Sequence, residues 1–123
     1  MYITKEYLRS HPNEVFVFGD NTLHRGKGGA AALRDEPNTY GFITKKYPSH
    51  ENEAFYTPEE YMDIFISECN KLAEFVCKNT DKTFLVSRLG AGLANRFGIY
   101  EKVIEPYLDS RLGIFPNIVF LED

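Results

Sequence analysis

The sequence predicts a three-layer α/β fold, a mostly parallel central sheet flanked by helices, in a single domain over residues 1–123. Three observations carry this. Apolar, β-rich runs alternate with helix-type patterns, the order expected when helices cross between parallel strands. Two glycine loops each follow such a run directly. The composition, 43% apolar and 26% charged without repeats or low-complexity tracts, is that of a folded chain with one sizeable core.

Each element has its own signal. "TKEYLRSHP" reads as a short helix ending before Pro12, and "EVFVF" (Glu14–Phe18) as a buried parallel strand. The first glycine loop follows, and "KGGAAALRDE" reads as a helix with a small-residue face, ended by the Pro37-Asn38 turn. "YGFITKKY" is the second strand, and "YPSHENEAFY" a polar connection. Thr57, Pro58 and Glu60 then supply an N-cap, a first-turn proline and the acid of a capping box. The long helix they start buries the stripe Met62, Phe65, Ile66, Cys69, Leu72, Ala73 and Val76, spaced by threes and fours.

"TFLVSRL" (Thr83–Leu89) is the third strand, and the second glycine loop, "GAGLANRFG", follows it. A helix with the stripe Tyr100, Val103, Ile104, Tyr107 and Leu108 comes next, kinked or split by Pro106. "NIVFLED" (Asn117–Asp123) is the last strand. In a parallel sheet both glycine loops emerge at the same carboxyl edge, where open α/β folds bind ligands.

Charge and composition exclude several function classes. A net charge of −4 argues against a nucleic-acid polymer as general partner, though a small anion can bind at a local basic spot. Cys69 and Cys77, roughly 12 Å apart along one helix, are too far apart to bridge, and both are expected as reduced, buried thiols. No run of about eighteen apolar residues exists, and "MYITKEYLRS" lacks the apolar core of a signal peptide, so no membrane association is expected and the cytoplasm is the default location.

The first loop meets an expected helix N-terminus, whose free N–H groups suit a phosphate or diphosphate. It is not a P-loop: Gly28, not Ser or Thr, follows Lys27, and the dinucleotide fingerprint is also missing. His11, His24 and His50 are isolated and read as surface residues, and no metal site or cofactor is expected. No GxSxG elbow appears, and both cysteines lie in the long helix. Lys45 and Lys46 end the second strand, where alternation turns one toward the cleft and the other away.

"NTLHRGKGGAAAL" and "SRLGAGLANRFGIYEKVIEPYL", in this order and each after a strand, resemble the two ligand loops of macrodomains, which bind ADP-ribose. "GFITKKYPSH" and "LVSRLGAGLANRF" look most like the terminal ADP-ribose protein glycohydrolase branch. The likeness runs from about Val15 to Leu121, with "RLGAGL" its most specific piece. It implies that Gly26, Gly28, Gly29 and Ala30 wrap the diphosphate and distal ribose from one side, and that Gly90, Ala91, Gly92 and Leu93 close from the other. Asn21 matches the asparagine that touches the distal ribose, and Lys45 the lysine that attacks its anomeric carbon. Asn95 is counted with the second loop's ligand residues.

The match departs where protons must move. Ala94 and Asn95 stand where the glycohydrolase branch has an aspartate, and Ala31 where the other hydrolase branch has one. Asp20 is the remaining candidate for that acid or base, and for holding adenine. Three readings follow: a module that binds ADP-ribose or a related nucleotide, free or on an ADP-ribosylated protein or nucleic acid; an ADP-ribosylhydrolase acting through Lys45; and a non-catalytic protein-interaction module in which the loops are only turns.

Overall fold

A computed structural model describes residues 2–122. Helix α1 (Lys5–Ser10) starts at Thr4, whose hydroxyl accepts the Tyr7 N–H, and it stops before Pro12 as the sequence predicts. Strands β1 (Glu14–Asn21), β2 (Thr39–Lys45), β3 (Thr83–Val86) and β4 (Ile118–Phe120) form one sheet, ordered β2-β1-β3-β4, with every pair parallel. After β1 the chain steps outward to β2, then returns past β1 to place β3 on its other side. The order therefore reverses between β1 and β3, where neighbouring connections diverge and leave a crevice.

Alternation along the central strands fills both faces. Val15, Val17, Phe84 and Val86 pack against helix α2 (Pro58–Lys78) and the segment leading into helix α3 (Glu105–Leu112). Phe16, Phe18 and Leu85 instead join Leu8 of α1 and Ala31 on the opposite face. The three layers are thus helix, sheet and a thinner helical layer, which is why β1 reads as continuously apolar.

Helix α2 begins with the predicted capping box: the Glu60 N–H donates to the Thr57 hydroxyl, and the Thr57 N–H to the Glu60 carboxylate. Its buried face also includes Tyr61 and Glu68, polar residues outside the predicted stripe. Both serve the edge strand β2: Tyr61 donates its hydroxyl to the Ile43 carbonyl (2.5 Å), and Glu68 accepts the Ile43 N–H (2.7 Å). Side chains thereby cover edge groups that would otherwise invite another strand.

Several boundaries differ from the sequence reading. The helix expected over Lys27–Glu36 is only a 3₁₀ segment, Gly29–Leu33. Gly29 sits at φ +58°, outside the α-helical region, so no helix can run through it from Lys27. β1 runs on through Asp20 and Asn21, because β2 continues alongside to Lys45 with one register irregularity. β3 stops at Val86, since beyond Ser87 the chain turns into the loop. The final strand is shorter than expected, and Asp123 lies outside the described residues.

Pro106 does divide its helix. Tyr100–Ile104 winds as a π-type turn, and α3 continues from Glu105 with Pro106 in its first turn. Cys69 is buried and its thiol is pushed up to about 12 by desolvation, but Cys77 is exposed, correcting the expectation that both are buried. It follows Val76 on the helix and so falls on the outer side of the stripe. No helix among the described residues is long and apolar enough to cross a membrane.

Candidate functional site

The two glycine loops share one cleft of about 650 Å³ at the carboxyl ends of β1 and β3. Its walls touch. A Cβ built on Gly28 would lie 3.0 Å from the Leu93 side chain, and one on Gly29 3.7 Å from it. Leu93 is 59% exposed, so this apolar side chain reaches across the mouth without being part of the core.

Local backbone geometry explains the glycines. Gly26 (φ +96°), Gly29 (φ +58°) and Gly90 (φ +76°) occupy the left-handed region, and a Cβ on Gly90 would also approach Ile104 to 2.5 Å. Among the described residues, the N–H groups of Gly28, Gly92 and Leu93 donate to no protein acceptor. The expected helix N-terminus is reduced to the 3₁₀ turn, so these loop amides, not a helix dipole, offer the donors.

The site residues named from the sequence separate on inspection. Asp20, Asn21, Gly26, Gly28, Gly29, Ala30, Lys45, Gly90, Gly92 and Leu93 line the cleft; Ala91 and Asn95 do not. Asn95 is a helix-starting residue: its Oδ1 accepts the Tyr100 N–H (2.9 Å) and its Nδ2 donates to Glu101 (2.9 Å). A side chain so engaged is occupied within its own turn.

Asn21 organises the first loop. Its Oδ1 accepts the Leu23 N–H (3.0 Å) and its Nδ2 donates to the Arg25 carbonyl (2.7 Å), leaving one hydrogen and one lone pair for another partner. Asp20 is more fully committed. Its side chain is 3% exposed, with Arg34 Nη2 2.7 Å from Oδ1, His24 Nδ1 3.0 Å from Oδ2, and the Asn21 N–H donating to Oδ1. Burial pushes its carboxyl upward, but Arg34, His24 and the Asn21 amide outweigh that and hold it below the ordinary carboxylate range. The room for this carboxylate comes from Gly41 on β2, where a Cβ would collide with it.

Lys45 and Lys46 diverge as strand alternation predicts. Lys46 pairs with Glu60 (3.0 Å), whereas Lys45 lines the cleft with its Nζ 4.6 Å from the centre of the buried Phe55 ring. Desolvation, with the Arg96 charge adding to it, lowers the Lys45 amine from its ordinary value. Arg96 packs on the same ring, its guanidinium carbon 4.1 Å from the centre.

The sequence reading missed the cations of the lining, although Arg25, Lys27 and Arg88 were visible beside the glycines. With Lys45 they make four cationic side chains, against Asp20 as the one carboxylate. Lys27 is paired with Asp35 outside the cleft, and Arg88 stacks on Tyr100. His24 and His50 are exposed, as the sequence reading has them, yet His50 also lines the cleft and His24 is tied to Asp20. No group of three or more His, Cys, Asp or Glu side chains suited to a metal ion occurs among the described residues.

A family model described as "Family of unknown function (DUF7831)" matches residues 1–95. No curated protein and no solved structure matches.

Proposed function

Since this chain belongs to a family of unknown function, DUF7831, we propose from the geometry of the cleft that it binds ADP-ribose or a related nucleotide diphosphate, free or attached to a protein or nucleic acid. The observation that supports this most is the meeting of two glycine loops, with unpaired amides and an excess of cations, in one crevice of a protein whose net charge is −4. Such amides and cations suit a compact anion, and the glycines let it approach the backbone. The resemblance of both loops to those of macrodomains selects ADP-ribose among such anions. Asn21, with one donor and one acceptor still open, is suited to a ribose hydroxyl.

Calorimetric titration with ADP-ribose, ADP and NAD tests the reading, with Gly28→Glu as the control. Gly28 has φ −77°, which any residue adopts, and its exposed position leaves the fold intact while a carboxylate enters the cleft. We expect binding heat from wild type, loss of at least tenfold in affinity in the variant, and little change in Tm. No heat from any of the three ligands contradicts the reading. Retained binding by the variant favours a site elsewhere, as an interaction module would have.

A second reading has one specific support, the lowered proton affinity of Lys45 inside the cleft. In its free-amine form Lys45 would attack the anomeric carbon of a bound ribose: a C–N bond to Lys45 forms, the ester C–O bond breaks and the glutamate carboxylate leaves free of ADP-ribose, after which water must cleave the lysine adduct. Asp20, held ionised by Arg34 and His24, is a weak base at neutral pH and so a poor acceptor for the protons this scheme must move. Incubation with a glutamate-linked ADP-ribosylated protein should show release that Lys45→Ala abolishes. Release unchanged by that substitution rules out the lysine route.

A further inference from the structure

Arg96 has no place in the diphosphate-binding scheme, yet the chain holds it in a defined position. Its Nη1 donates to the His50 carbonyl (2.5 Å) and to Asn52 Oδ1 (3.1 Å), which fixes it against the connection after β2. Its guanidinium lies on Phe55, a ring that is 3% exposed and braced edge-on by Phe97. Lys45 lies on that same ring from the end of β2. The two ring distances bound the separation of the charges at roughly 9 Å, about one Debye length at physiological salt, and partial burial weakens the screening further.

We infer that Arg96 is a positioning residue for Lys45: through the shared Phe55 ring it keeps a second positive charge beside the amine, and so readies Lys45 to act as a nucleophile. The π face attracts each cation, which places two like charges together that would otherwise separate. Proximity of a second cation disfavours the ammonium form and raises the fraction of free amine. The other charged groups of the cleft leave this arrangement in place. Asp20, the one carboxylate, is engaged by Arg34 and His24; Lys27 is engaged by Asp35; Arg25, Arg88 and His50 add no negative charge. Lys46, next in sequence, faces Glu60 and provides an internal reference.

The inference concerns the amine of the second reading above. Its test uses no nucleotide, so it can fail while ligand binding stands.

The experiment is competitive labelling of the folded protein with trace acetic anhydride across neutral to alkaline pH, with Lys45 and Lys46 read separately by peptide mass spectrometry. Wild-type Lys45 should label with a midpoint below that of Lys46. In Arg96→Gln, Lys45 reactivity near neutral pH should fall about two- to twentyfold, the range Coulomb's law gives for unit charges some 9 Å apart at effective dielectric constants of about 80 to about 20. Lys46 should be unchanged, and Arg96→Lys should restore Lys45, because it keeps the charge while losing the guanidinium fork. An unchanged Lys45 midpoint in Arg96→Gln, or equal shifts in the Gln and Lys variants, overturns the inference. Should Arg96→Gln fail to fold, wild type in rising salt decides: screening should raise the Lys45 midpoint, and a salt-independent midpoint assigns the effect to burial alone.

Discussion

Asp20 shows how one side chain can shape the candidate site from beneath. It is buried at the end of β1, and three groups from two directions donate to it or pair with it: Arg34, His24 and the Asn21 amide. Arg34 in turn donates to the Gly26 carbonyl (3.0 Å), so the carboxylate indirectly holds the glycine loop. Removing its charge leaves Arg34 nearly buried without a counter-ion, and Asp20→Asn is therefore expected to cost about 3 kcal/mol at neutral pH. The pH dependence has a definite sign. A carboxyl held below its unfolded value of about 3.9 contributes stability above that pH and loses it as pH falls through the folded value. Urea midpoints of wild type and Asp20→Asn should differ at neutral pH and converge in strong acid; an equal gap at both would show that the ion pairs are not the cause.

At the scale of elements, the helix α2 does two tasks at once. Its apolar stripe packs on the sheet, and Tyr61 with Glu68 satisfies the edge of β2 at Ile43. That edge strand ends at Lys45, so these bonds at Ile43 help hold the segment that carries Lys45 to the cleft. Tyr61→Phe keeps the ring packing and removes only the hydroxyl, leaving the Ile43 carbonyl unpaired at a cost of about 1–2 kcal/mol. Chemical denaturation that shows no loss for this variant would exclude the proposed edge role.

Elements with a strong local signal were legible in the sequence. The capping box at Thr57 and the continuous apolar runs of β1 and β3 need no distant partner to be read. What was not legible depends on partners far away in the chain. The apolar run of β1 stops at Phe18, but β2 offers Gly19, Asp20 and Asn21 a ladder beyond it. Asn95 reads as a loop ligand until its bonds to Tyr100 and Glu101 are seen. The Arg96 position on Phe55 joins residues from the second glycine loop and the β2–α2 connection, a pairing no local pattern encodes.

For the whole molecule, strand order decides where chemistry can occur. The reversal between β1 and β3 brings the loops after both strands to one crevice, and the cations gather there although the chain as a whole is acidic. Under the proposed function a small anion is drawn to that spot, while the overall negative charge disfavours a long polyanion. The most direct measurement is amide chemical-shift mapping by ¹⁵N NMR as ADP-ribose is added. Residues 26–30 and 90–93 should shift together along one saturating curve, with Asn21 among them and the outer face of α2 unmoved. Shifts confined to one loop, or found only away from both, would contradict a shared ligand cleft.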